Sequence, residues 1–205
     1  MPRPRSLSMD RLAAAALAVI DRDGLAGLSM RAVASELGMA TMSLYRYVSD
    51  REQLEGLVVD RVLAGVDVDV VPSPGLPWRD QLAVLVERVR AAVARHPEVV
   101  PLTLTHRHTS AGVLRWAEAA LVILTEAGFD GRRRVIALRS LLCYLIGAIQ
   151  TEHLGPLAGS GTRTMAELPR DAFPLLAETA GDARRVGADE EFREGLDVLL
   201  RGLAP

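Results

Sequence analysis

Apolar residues recur every three or four positions along most of this chain, and the interruptions fall at capping residues, glycines and prolines. The first such segment covers residues 8–23. Leu12, Ala16, Val19 and Ile20 share one face, Ser8 is placed to cap the start, Asp10 lies in the first turn and Gly24 suits the left-handed residue after the last. A second helix is predicted from Met30 to Leu37, capped by Ser29 and stopped by Gly38, and a third from about Thr41 to Val48. Ser49 and Glu52 match the S-x-x-E capping box, so a fourth helix is expected to open there and run to about Ala64.

The proline- and glycine-bearing stretch from Val66 to Trp78 breaks this pattern and is the clearest domain boundary. Beyond it, residues 78–96 form a long amphipathic helix with Leu82, Leu85, Val86 and Val89 inward, ended by Pro97. Further helices are predicted over 99–104, 110–127, 130–154, 170–180 and 189–203, with 155–169 as a loop rich in Gly, Ser and Thr. No useful β-alternation and no repeat interrupts the series. The fold class is all-α: a small N-terminal domain over 1–65, whose fourth helix acts as connector from about 50, and a larger helical domain over 66–205.

Composition narrows the class. Of 205 residues, 49% are apolar and 24% charged, which belongs to a folded chain with a sizeable core. Only 4% are aromatic, so Leu, Val and Ala do most of the packing. The net charge of −2 excludes a uniformly basic surface, yet residues 1–51 hold seven Arg against five acids. The chain has no Lys, so every cationic side chain is an Arg, whose planar fork suits phosphate. Cys143 is the lone cysteine, which rules out an intrachain disulfide; its apolar neighbours suggest an inert, buried thiol. The run from Leu141 to Ile149 is too short to cross a bilayer and the N-terminus lacks a signal-peptide core, so a cytoplasmic protein is expected.

The informative segment is LSMRAVASELGMATMSLYRYVSDREQL, from Leu28 to Leu54. Two short helices joined by a tight Gly turn make a helix-turn-helix. Val33, Leu37, Leu44 and Val48 are placed to bury against the first helix, and Ala34 is small enough for close approach. Thr41, Met42, Ser43, Tyr45, Arg46 and Tyr47 then face outward, a surface with hydroxyls, a thioether and a guanidinium but no acid. Such a surface suits a DNA groove: hydroxyls and Arg bond phosphates or base edges, and Met lies against a thymine methyl.

Here the segment resembles the N-terminal domain of TetR-family regulators. The pattern of that family falls on Ala34, Gly38, Leu44, Tyr45, Tyr47 and Val48, with Arg51 where the family usually bears a Lys. The match covers about residues 8–63, and the ending over 192–203 resembles the last helix of the tetracycline-repressor-like branch. The resemblance implies that Arg31, Thr41, Met42 and Tyr45 read base edges, while Ser29, Ser43, Arg46, Tyr47 and Arg51 hold phosphates. It implies a homodimer in which helices 130–154 and 189–203 pair with those of a second subunit, on a double-stranded, roughly palindromic operator.

The larger domain is expected to enclose a pocket for a small-molecule effector, with Leu102, His106, Trp116, Leu142, Tyr144, Ile146, Gln150 and His153 as lining residues. Few charges lie among them, which points to an apolar ligand with a few polar handles. Tetracycline-binding relatives use magnesium, but Thr103 falls where their assisting histidine stands, so neither metal nor cofactor is expected. The chain has no Gly-rich phosphate loop, H-E-x-x-H or nucleophile elbow, and no enzyme activity is expected. The reading is a ligand-released repressor; the alternatives are an activator without ligand control and a helical adaptor that binds protein.

Overall fold

The computed structural model describes residues 7–68 and 75–205; residues 69–74 of the expected interdomain stretch lie outside them. The described residues form helices and connecting turns, without a strand. They divide into two compact units, one of residues 7–68 with Glu87–Ala119, the other of residues 75–86 with Ala120–Pro205. Packing is thus divided differently from the boundary at 65/66, since residues 87–119 cluster with the N-terminal helices.

In the first unit, helix α1 (Met9–Gly27) starts where Ser8 accepts the Arg11 N–H at 3.2 Å, one of the orphan donors of a helix start. Gly24 takes φ 73°, a conformation that a side chain disfavours, and kinks the helix before a last turn that reaches Gly27. The buried Leu12, Ala16, Val19 and Ile20 of α1 face α2 (Met30–Glu36) and α4 (Arg51–Leu63). Fully burying a Leu or Ile contributes about 1.5–3 kcal/mol, so this face is the main anchor of the small domain. Ser29 caps α2 by accepting from Ala32 N at 3.1 Å.

The capping box lies one residue later than the sequence suggested. Asp50, not Ser49, caps α4, and its carboxylate accepts from Gln53 N at 2.8 Å while Gln53 Oε1 accepts from Ser49 N at 2.8 Å. A charged carboxylate is the stronger acceptor at a helix start, and Asp50 outcompetes its serine neighbour.

After α5 (Trp78–Val93), a 3-10 turn at Pro97–Val99 leads into α6 (Val100–Thr105), which packs on α4. Helix α7 (Ala111–Glu126) begins close to the end of α4: a Cβ on Gly112 would stand 2.7 Å from Leu63 Cβ, so the approach requires glycine.

In the second unit, α8 (Gly131–Leu154) and α11 (Ala188–Gly202) pack together. The Tyr144 hydroxyl donates to the Phe192 carbonyl at 2.6 Å, and a Cβ on Gly195 would meet Tyr144 Oη at 2.5 Å. By length and composition α8 would cross a bilayer, but its first nine residues carry four arginines and its buried positions face the unit.

Two expectations give way to packing. The stretch 155–169 contains a helix, α9 (Ser160–Ala166), which packs against α10 (Pro174–Ala183) around buried Thr162; tertiary burial overrides the poor propensity of Gly, Ser and Thr. Cys143 is exposed, because Leu141 and Leu145 take the buried side of α8 and leave 143 on the opposite one.

Candidate functional site

The helix-turn-helix is assembled by one Gly-dependent turn. Gly38 adopts φ 65° after α2, its N–H donates to Ser35 O at 3.0 Å, and the Met39 N–H reaches Ala34 O at 2.9 Å. This is a Schellman ending, and it turns the chain at once into α3 (Thr41–Leu44). Val33, Leu44 and Val48 are buried as expected, with Ala34 buried between the helices; Leu37 is only half-buried. Helix α3 is shorter than the predicted 41–48. It ends at Leu44, and Tyr47 and Val48 N–H groups close a turn on the Leu44 carbonyl.

On this support the outward residues are presented. Met42 is 77% exposed and Tyr45 48%, and Arg46 is exposed beside them; Thr41, Ser43 and Tyr47 are half-buried. Arg31 is exposed on α2. Among the described residues neither Arg31 nor Arg46 pairs with a carboxylate, so both guanidiniums stand free for a polyanion. Ser29 spends an acceptor lone pair on its helix, which leaves the hydroxyl proton available to donate.

Arg51 differs. Its Nε donates to Glu55 Oε1 at 2.7 Å and its Nη2 to the Leu25 carbonyl at 3.2 Å. It ties the last turn of α1 to α4, with its side chain 47% exposed. Glu55 Oε2 in turn lies 3.4 Å from Nε2 of His106, which is buried. Sequence reasoning passed over Glu55, although the Arg-x-x-x-Glu spacing was there to read. Asp50 carries the other electrostatic signature: the backbone hydrogen bond from Gln53, then that from the Ser49 hydroxyl, holds its carboxyl below the ordinary value.

The expected effector residues do not fall in one unit. Leu102, His106 and Trp116 are buried in the first; Leu142, Tyr144, Ile146 and Gln150 are half-buried in the second, and His153 is exposed there.

Two family models match the chain: "Bacterial regulatory proteins, tetR family" over residues 12–54 and "Tetracyclin repressor-like, C-terminal domain" over 71–205. The chain is 32% identical to the HTH-type transcriptional repressor DrrR1 of Streptomyces coeruleorubidus, covering 98% of this chain and 78% of that one. It is 29% identical to the class A tetracycline repressor of transposon 1721 from Escherichia coli, over 93% of this chain and 87% of the relative. Among solved structures it is similar to ActR of Streptomyces coelicolor in complex with actinorhodin, with a TM-score of 0.80, 26% identity, and coverage of 98% and 96%. A match spanning the helix-turn-helix and a second spanning most of the remainder leave one conclusion: the chain belongs to the tetR family of bacterial regulatory proteins.

Proposed function

We propose that this regulator is a repressor that binds a roughly palindromic operator as a homodimer and is released by a small, largely apolar molecule. The observation that carries the DNA step is the acid-free surface at α3. A methionine 77% exposed beside an exposed tyrosine and two unpaired arginines stands on a rigid footing of Leu44 and Val48. In this reading Arg31, Thr41, Met42 and Tyr45 read base edges in the major groove. Ser29, Ser43, Arg46 and Tyr47 hold phosphates, as does Arg51 once it gives up part of its hold on Glu55.

The DNA-binding part is residues 1–65 and the effector and dimerisation part is 66–205, working in the cytoplasm. Val135 and Ile136 on α8 and Val198 on α11 are exposed apolar side chains on the two helices assigned to the subunit interface. A second copy would cover them and set two recognition helices about 34–36 Å apart. ActR, to which the chain is similar, has been solved with actinorhodin; here Leu102, His106, Trp116, Leu142, Tyr144, Ile146, Gln150 and His153 are assigned to the effector. The effector acts by favouring a spacing of recognition helices that no longer fits the operator.

The test is a gel-shift titration of the purified chain with its own upstream intergenic DNA and unrelated competitor. A discrete shift that survives competitor is expected. Binding that competitor abolishes equally on all fragments would refute a sequence-specific regulator.

A further inference from the structure

Helices α8 and α11 run antiparallel within the second unit. Arg133, near the start of α8, bonds the Pro205 carbonyl beyond the end of α11, and farther along α8 the Tyr144 hydroxyl reaches Phe192 near the start of α11. Each helix buries one stripe, Ala137, Leu141 and Leu145 on α8 and Phe192, Leu196 and Leu200 on α11. The opposite face of α8 carries Arg132, Val135, Ile136 and Arg139, all exposed, at the i, i+3, i+4, i+7 spacing of a single helix face. The opposite face of α11 carries exposed Glu191, Glu194 and Val198, at i, i+3, i+7.

The charges on these faces are sorted by end. The arginines stand in the first half of α8 and the glutamates in the first half of α11, so antiparallel packing sets a basic end and an acidic end on either side of exposed apolar side chains. Arg132, Arg139, Glu191 and Glu194 make no ion pair among the described residues. By contrast Arg201, at the basic end, is held by Asp197 on its own helix. An apolar middle flanked by unpaired charges of opposite sign is complementary to itself, provided that one copy is turned end for end.

We propose that a second copy of this chain docks here about a two-fold axis perpendicular to α8 and α11, with Arg132 and Arg139 against the partner's Glu191 and the partner's Glu194. A two-fold axis along the helices would instead set arginines beside arginines and glutamates beside glutamates. The proposal rests on the homodimer reading above and deepens it: these four charges fix the orientation of the pair and select this chain as its own partner.

Sedimentation equilibrium of the full chain tests it. Dimerisation should weaken about tenfold as salt rises from about 0.05 M to about 0.5 M. Arg132→Glu with Arg139→Glu makes both ends acidic, and Glu191→Arg with Glu194→Arg makes both ends basic. Each double variant should self-associate about tenfold more weakly than the natural chain. Mixed together, the two should form a heterodimer, and a chain with all four changes should again pair with itself. These two recoveries separate charge pairing from damage to the fold. A dimer that salt leaves unchanged or tightens, double variants that self-associate like the natural chain, or a mixture without heterodimer would each overturn the proposal and leave the homodimer reading in place. A chain still monomeric at about 100 µM in low salt would overturn both.

Discussion

Glu55 holds Arg51 one helical turn away, with Oε1 2.7 Å from Nε, and so sits between the start of α4 and His106. If Arg51 holds an operator phosphate as proposed, that phosphate competes with the carboxylate for the guanidinium. Glu55→Gln should therefore tighten binding to all DNA sequences and steepen its salt dependence, whereas Arg51→Ala should flatten the slope by about 0.9 for each phosphate that it no longer neutralises. Fluorescence anisotropy across a salt series checks both. Equal slopes in the three proteins would remove Arg51 from the DNA-binding surface.

On the proposed assignment, Tyr45→Ala and Arg31→Ala act on the bases instead. Each should cost about 1–3 kcal/mol on the operator and relax preference at one base-pair position, leaving binding to unrelated DNA nearly unchanged. A selection of bound sequences from a randomised operator reads this out. Uniform loss across all sequences would assign these residues to the phosphates.

Leu44 carries the recognition helix on a wholly buried side chain. Leu44→Ala should destabilise the protein by about 2–5 kcal/mol and lower operator affinity with it. Met42→Ala, at an exposed position on the same helix, should leave the denaturation midpoint in place. Chemical denaturation of the two variants separates footing from DNA-facing surface.

Asp50 gives the start of α4 a defined acid response. Its folded value lies below the ordinary 3.8, so the capping contribution is fully present above 3.8 and disappears as pH falls through the lowered folded value. Asp50→Asn should lose this component at neutral pH and show a smaller drop in stability on acidification. Parallel stability curves for the two proteins between about pH 6 and pH 2 would show that the cap does not titrate with folding.

The Tyr144 hydroxyl bonds the Phe192 carbonyl across α8 and α11, so Tyr144→Phe should cost about 1 kcal/mol. Gly195→Ala should cost more, since its methyl group would fall 2.5 Å from the same oxygen. Thermal melts order the two. The reverse order would mean that α8 and α11 separate easily.

Much of this architecture is legible in the sequence where a signal is local. Ser8 and Ser29 cap the helices they are expected to cap, and Gly38 makes the turn that its lack of a side chain allows. Buried Val33, Leu44 and Val48 follow from helical periodicity alone. Local signals fail where two of them compete or where distant packing decides. Ser49 and Asp50 are both good caps, and only the geometry shows that Asp50 prevails. Residues 160–166 read as a loop because their helix depends on α10. Cys143 reads as buried because its neighbours in sequence are apolar, yet on α8 the buried ones point away from it. The link from Arg51 through Glu55 to His106 joins residues 51 apart at its second step, which no spacing rule reaches.

The exposed thiol of Cys143 turns the molecule into its own clock. One exposed sulfur per chain stands on the helix proposed to pair between subunits, where a second copy seated over it would shield it. The rate at which a maleimide consumes it should then report subunit exchange, and should fall as protein concentration rises. A thiol that reacts at one rate at every concentration would belong to a surface that no second copy covers.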